Sequence, residues 1–331
     1  MSKPFRIVIT DFITDALEPE RRILGEIAEI QAVAADCESA LAGKVEQADA
    51  LMMYHCLAIT GSTINHLEKC KIIVRCGVGY DNVDYRLARS RGIAVANVPD
   101  YGTEEVADSA IGMMLALTRG INFFNSRLRA KQGPWMFSQA APLHRIRGRV
   151  FGIVGLGRIG TAAAMRAKAL GMQVLFYDPY KPDGYDKSLG IRRVETLREL
   201  LQQSFVLSIH CPCTPETTAM INAEAIRQMP KGSCLVNTAR GAIVDTAAIP
   251  PAIASGQLAG AGIDVLATEP PGDDDPLIQA WRDPQHPAHD RLIVNPHAAF
   301  YSEEGLLDMR TKGAETCRRA LLGLPVRNIV N

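Results

Sequence analysis

The densest chemistry in this sequence lies at the ends of short β-branched runs. Val150–Val154 leads into Gly155-Leu156-Gly157-Arg158-Ile159-Gly160, followed by an Ala-rich helical stretch, Thr161–Leu170. A glycine turn between a strand and a helix leaves backbone amides and the positive helix end facing outward, which suits a pyrophosphate. The next apolar run, Gln173–Tyr177, ends in Asp178, 18 residues beyond Gly160, where a carboxylate would accept from the hydroxyls of an adenosine ribose. An acid there repels a 2′-phosphate, and Pro179 and Tyr180 supply no cation, so NAD is expected rather than NADP. Later runs end at His210-Cys211-Pro212, at Asn237-Thr238-Ala239-Arg240-Gly241 and at Asn295-Pro296-His297, while the run carrying Asp264 leads to Glu269-Pro270. An arginine, a carboxylate and a histidine converging beside a nicotinamide suit reduction of a 2-oxo acid. Arg240 would clamp the substrate carboxylate, His297 would handle the proton and Glu269 would hold the imidazolium. Each has a plainer reading: a helix-end arginine, a solvated loop acid, a satisfied buried histidine. His286 and His289, in a Pro- and Asp-rich loop, read as solvated surface.

These residues need an α/β scaffold, and the patterning supplies two. Strand-like Arg6–Thr10, Ala50–Tyr54, Lys71–Arg75 and Ala94–Asn97, with a helical stretch near Glu20–Ile30, predict a first parallel layer. Pro99 marks a boundary, and Thr103-Glu104-Glu105 opens a helix through about Thr118. Residues 125–148, with Gly133, Pro134 and Pro142, read as irregular connection. Strand candidates at 150–154, 173–177, 205–209, 234–237, 261–265 and 292–295 then predict a doubly wound parallel sheet. A last helix, about Ser302–Leu322, is expected to return to the first domain. The predicted division is 1–98 with 300–331 as a substrate domain and 99–299 as the nucleotide domain.

Equal numbers of basic and acidic residues, 36 each, give no electrostatic footprint for nucleic acid. No run of 18 apolar residues and no apolar leader occurs, so neither a membrane span nor a signal peptide is expected and the chain reads as cytoplasmic. The eight cysteines read as buried thiols; Cys211 and Cys213 are two apart with no second pair, so no metal site is expected.

The ordered segments VRCGVGYDNVD (74–84), NVPDYGTEEVADSA (97–110), GIVGLGRIG (152–160), VNTARGAIVD (236–245), the IDV and EP of 263–270 and NPH (295–297) resemble the D-isomer-specific 2-hydroxyacid dehydrogenases over essentially the whole chain. Within that family RAKALGMQVLFYDPY (166–180) and HAAFYSEEG (297–305) look closest to the C-terminal-binding-protein branch, which holds NAD-binding corepressors as well as bacterial dehydrogenases. The resemblance implies a Rossmann-type nucleotide domain, a smaller flavodoxin-like substrate domain, NAD as cofactor, a small 2-oxo or 2-hydroxy acid as substrate, and Arg240, Glu269 and His297 as the catalytic set. It adds Arg75 and the Val78 and Gly79 amides as the substrate-carboxylate loop. As NAD contacts it adds Thr103, Arg158, Ile159, Asp178, Cys211, Thr217, Ala239 and Asp264, beside Gly155, Gly157, Gly160, His210, Pro212 and Thr238 at the strand ends. It also implies a homodimer through the helix starting at Thr103, and the apolar Ile111, Met113, Met114 and Leu117 cover more than one face of that helix. Tyr54 and His55 border the substrate by position. Where the corepressor branch carries tryptophan after the histidine this chain has Phe300, so the branch's thioether-bearing oxo acid does not carry over. The competing readings are an NAD(H)-sensing corepressor-like binding protein and a dehydrogenase of an unusual anion such as phosphite.

Overall fold

The computed structural model describes residues 4–331, in two compact units: the chain through Gly102 together with Ser302–Asn331, and Thr103–Tyr301.

The first unit holds β1 (Phe5–Ile9), β2 (Ala28–Ala32), β3 (Ala50–Met53), β4 (Ile72–Arg75) and β5 (Ala94–Asn97), paired in parallel in the order β2-β1-β3-β4-β5. Every residue of β3 and β4 is buried, as befits central parallel strands covered on both faces. The helical stretch expected over Glu20–Ile30 is a helix only at Glu18–Leu24; the chain turns at Gly25, and Ala28–Ala32 is the edge strand β2. Its AEIQA pattern carries too few β-branched residues to announce a strand, and pairing with β1 decides its state. Helix Glu303–Leu321 packs on Glu18–Leu24 and across β3 and β4. Buried Arg310 on this helix locks the contact, donating to both oxygens of fully buried Glu20 at 2.7 Å and to Asp15 at 2.6 and 2.8 Å.

The second unit holds seven parallel strands: β6 (Val150–Val154), β7 (Gln173–Tyr177), β8 (Arg192–Arg193), β9 (Val206–Ile209), β10 (Ser233–Asn237), β11 (Leu258–Ile263) and β12 (Leu292–Val294). Their order is β12-β11-β10-β9-β6-β7-β8, so the chain runs outward from β6 in both directions. The crevice at the carboxyl ends of β6 and β9 is therefore the topological switch point, where this class of sheet takes its ligand. The seventh strand, β8, is a two-residue edge with no apolar signal of its own. Helix Thr103–Thr118 lies against β10, β11 and helix Arg158–Ala169. Its Ile111, Met113 and Met114 are buried among Phe151, Val174 and Phe176 of the same unit, so their burial needs no partner copy. Within the stretch expected to be irregular, a helix continues from Ile121 to Arg129 and a short turn forms at Phe137–Ala140. Side chains hold that helix down: Ser126 and Arg127 donate to the Asp290 carboxylate at 2.6 and 3.2 Å, ties that local composition does not reveal. His286 and His289 are half-buried rather than solvated: His286 Nδ1 accepts from the Ala288 amide, and His289 Nδ1 lies 2.6 Å from the Trp281 carbonyl.

Candidate active site

The three glycines after β6 have separable causes. Gly155 has φ +87°, and a Cβ on it would lie 2.6 Å from the Cys211 backbone. A Cβ on Gly160 would lie 2.2 Å from the Gly155 carbonyl oxygen, so this residue lets helix Arg158–Ala169 close on the loop. Gly157 differs: nothing lies within 4 Å of its would-be Cβ. It is the exposed N-cap of that helix, and the first-turn amides of Arg158 and Ile159 have no preceding turn to bond to. Asp178, at the end of β7, closes over this loop: its Oδ2 accepts from the Leu156 amide at 2.8 Å and its Oδ1 from the Tyr180 amide at 3.0 Å. Each oxygen keeps acceptor capacity for a hydroxyl.

The end of β9 completes the crevice. His210 Nε2 lies 2.8 Å from Ser208 Oγ, while its Nδ1 is buried without a partner among the described residues, and burial pushes the imidazole pKa down to about 4. Burial pushes the Cys211 thiol up to about 12, so it is an inert wall. Thr217 Oγ1 accepts from the Thr214 amide at 2.8 Å and donates to the Pro212 carbonyl at 2.7 Å, closing the loop between them. The hydroxyls of Thr103 and Thr238 are likewise buried without a partner. Such atoms each cost about 1–3 kcal/mol, so a polar ligand that partners them is favoured. An open space over Gly157, a helix N-terminus, a clamped carboxylate and orphaned polar atoms at strand ends fit a dinucleotide.

The neighbouring strands bring three side chains to the same edge. Asn237, fully buried at the end of β10, accepts from the Ala239 amide at 3.1 Å and donates to the Arg240 carbonyl at 2.9 Å, fixing the turn that presents Arg240. Arg240 Nη1 donates to the Ala239 carbonyl at 2.8 Å. A Cβ on Gly241 would sit 1.9 Å from the Leu266 carbonyl carbon, so this turn presses on the loop carrying Glu269. Glu269 is fastened at one oxygen by the Leu266 amide at 2.7 Å, and its other oxygen lies 2.7 Å from His297 Nδ1. With Nδ1 committed to Glu269, proton exchange falls to Nε2. His297 has φ +52°, a strained conformation for a non-glycine residue. Asp264 enforces it: its carbonyl accepts from the His297 amide at 2.8 Å, and its buried carboxylate accepts from the Ala298 and Ala299 amides at 2.9 and 3.0 Å. Burial raises the pKa of that carboxyl, against the pull of those amides. Asp264 thus braces the histidine turn, a task the sequence did not disclose. Phe300 is buried with its ring edge-on to His297 at 6.2 Å.

In the first unit, Arg75 is buried, donating to the Cys76 carbonyl at 3.2 Å and facing Asn82 Oδ1 at 3.4 Å. Its guanidinium occupies the space beside Gly77, where a Cβ would meet Nη1 at 1.6 Å. The carbonyls of Gly77 and Val78 are tied back to the Val98 amide and Asn97 side chain at 3.1 and 2.7 Å, and the Val78 and Gly79 amides find no acceptor among the described residues. Two adjacent unfilled amides form a small anion nest. Tyr54, expected to border the substrate, follows directly on β3 and is fully buried. His55 does reach the surface, with its ring 4.8 Å from Phe12.

Residues 111–299 match the family described as D-isomer specific 2-hydroxyacid dehydrogenase, NAD binding domain. The chain is 34% identical over 320 residues to D-3-phosphoglycerate dehydrogenase of Methanocaldococcus jannaschii, covering 96% of this chain and 59% of that protein. It is 36% identical over 291 residues to glyoxylate reductase of Korarchaeum cryptofilum, covering 87% of this chain and 84% of that one. Its fold superposes on D-lactate dehydrogenase from Aquifex aeolicus, complexed with NAD and lactic acid, with a TM-score of 0.84, 27% identity and 96% of each chain covered. The chain belongs to the D-isomer-specific 2-hydroxyacid dehydrogenase family, whose members are NAD-dependent oxidoreductases.

Proposed function

We propose that this protein is an NAD-dependent dehydrogenase working between 2-oxo acids and D-2-hydroxy acids, with Arg240, Glu269 and His297 as its catalytic residues. The observation that carries the reading is the 2.7 Å contact of Glu269 with His297, on the same carboxyl edge as Arg240 and the glycine loop. NADH, when bound, supplies the hydride. The loop shaped by Gly155, Gly157 and Gly160, with the amides of Arg158 and Ile159, would hold its pyrophosphate, and Asp178 its adenosine ribose. Thr103, His210, Cys211, Pro212, Thr217, Thr238, Ala239 and Asp264 would lie along it, with Asp264 also bracing the histidine turn. Arg240 holds the substrate carboxylate and faces the oxygen that gains charge, where a preorganised donor is worth most. His297 gives a proton to that oxygen in reduction and takes one from the hydroxyl in oxidation, with Glu269 fixing the ring and its tautomer. Within the first unit, the unfilled Val78 and Gly79 amides suit a carboxylate.

The segments 166–180 and 297–305 favour the C-terminal-binding-protein branch within the family. A homodimer is supported by Trp135, Met136 and Phe137, which are 86%, 58% and 76% exposed and consecutive, an apolar patch that a second copy would cover. Cytoplasmic residence is supported by eight free cysteines. The test is NADH oxidation against 2-oxo acids with small, branched, aromatic, thioether and acidic side chains. Turnover of at least one supports the reading, and cofactor binding with no turnover of any supports an NAD(H)-sensing scaffold instead.

A further inference from the structure

Within the second unit, the loops after β7 and β9 stand on either side of the glycine loop, because β6 lies between those two strands. Two strand spacings, about 9–10 Å, separate the strands. A side-chain contact joins the loops: the Tyr180 hydroxyl, after β7, donates to Glu216 Oε2, after β9, at 2.8 Å. Each loop is also fastened by itself. In the first, Asp178 Oδ1 accepts from the Tyr180 amide at 3.0 Å, the Lys181 carbonyl accepts from Arg193 at 3.0 Å, and the Lys181 ammonium lies over the Tyr185 ring at 4.9 Å. In the second, Thr217 Oγ1 links the Thr214 amide to the Pro212 carbonyl, and Thr218 Oγ1 donates to the Thr214 carbonyl at 2.8 Å. Tyr180 is thus held at its backbone and at its hydroxyl, yet it is 79% exposed. Ordering an aromatic side chain at both ends costs rotamer entropy, and this ring buries little area in return. A flat ring fixed and left uncovered is suited to receiving another flat ring.

Asp178 indicates which ring. One of its oxygens holds the glycine loop through the Leu156 amide and the other holds Tyr180. With the adenosine ribose on Asp178, the base is one glycosidic bond away from the group that fixes Tyr180. Arg240, Glu269 and His297 follow β10, β11 and β12, in the other direction along the sheet, where the nicotinamide is needed. The charge suits a neutral base: Tyr180 stands between the carboxylates of Asp178 and Glu216, and Lys181 is engaged with Tyr185.

We propose that Tyr180 stacks on the adenine of NAD and that Glu216 is a positioning residue that holds the tyrosine ring for it. This rests on the reading of the crevice as an NAD site and adds to it. The experiment measures the affinity of NADH by fluorescence titration, the affinity of ADP-ribose by competition with NADH, and the melting temperature of the ligand-free protein. It compares the unmodified chain with Tyr180→Ala, Tyr180→Phe, Glu216→Gln and Glu216→Ala. Tyr180→Ala should weaken ADP-ribose and NADH alike by roughly 10 to 100-fold, the usual worth of a base stacked on an aromatic side chain. Tyr180→Phe keeps the ring without its tether and should lose only about 2 to 5-fold. Glu216→Ala should match Tyr180→Phe, and Glu216→Gln, which keeps an acceptor for the hydroxyl, should restore most of that loss. Because the ring is exposed, each variant should keep the melting temperature within about 2 °C. Unchanged ADP-ribose affinity in Tyr180→Ala overturns the proposal, and so does a melting temperature lowered there by more than about 5 °C, which would make the contact a structural one. Glu216→Ala binding as the unmodified protein does removes Glu216 from its role. In each of these cases NADH binding by the unmodified protein leaves the parent reading standing. An unmodified protein that binds neither NADH nor ADP-ribose overturns both.

Discussion

Glu269 and His297 are joined at 2.7 Å although 28 residues separate them, and His297 takes a left-handed backbone conformation to make the contact. The turn is held by Asp264 from below and the ring by Glu269 from the side. Removing the proton carrier should therefore be costly while removing the charge behind it should be less so. His297→Ala is expected to lose about 100 to 10,000-fold in kcat and to retain NADH binding by fluorescence titration. Glu269→Gln, which keeps a hydrogen bond but not the charge, is expected to lose less than His297→Ala. Full activity in His297→Ala would contradict the assignment.

The glycine loop predicts a separation of stability from binding. Gly155→Ala forces a Cβ into the Cys211 backbone at positive φ and should destabilise by about 1–3 kcal/mol in thermal or urea unfolding. Gly157→Ala meets no protein atom, so its stability should stay within about 0.5 kcal/mol. Its NADH affinity should nonetheless fall at least about tenfold, because the added methyl occupies the pyrophosphate approach. Equal NADH affinity in Gly157→Ala and the unmodified protein would place the nucleotide elsewhere.

Arg240 is presented by a turn that Asn237 fixes at two points. A planar guanidinium grips a carboxylate at two atoms, and a lysine ammonium cannot. Arg240→Lys should accordingly lose about 100 to 1,000-fold in kcat/KM for a 2-oxo acid. Near-normal kcat and KM in that variant would remove Arg240 from the substrate.

His210 makes the fold sensitive to acid. Its pKa falls from an ordinary 6.5 to about 4 through burial, so in that window the unfolded chain binds a proton that the folded chain refuses. Stability should therefore drop as pH falls from 6.5 towards 4, by up to about 3 kcal/mol from this group, and be unaffected by it above 6.5. Melting curves across that range should be flatter in His210→Gln. An identical pH dependence in the variant would show that His210 is not the buried neutral group described here.

What was legible in the sequence was what parallel strands impose. Strands such as β6, β7, β10 and β12 read as apolar runs, and their ends therefore located the glycine loop, Asp178, Arg240 and His297. The meeting of Glu269 with His297 follows from β11 and β12 being neighbours. Edges were not legible: β2 looked helical because AEIQA has neither strand nor turn chemistry, and β8 is two arginines. Side-chain direction was hidden as well. Tyr54 turns inward, and Phe12, unremarked in the sequence, turns outward because Asp11 binds the β3 loop amides. The bracing of the histidine turn by Asp264 was hidden because the Ala298 and Ala299 amides lie 34 and 35 residues away.

The most direct test of the central claim is chiral analysis of the product formed from a 2-oxo acid and NADH by the purified protein. The account predicts stoichiometric NADH consumption and the D-2-hydroxy acid alone. Formation of the L-isomer or a racemate, or no consumption of NADH with any 2-oxo acid, would contradict it.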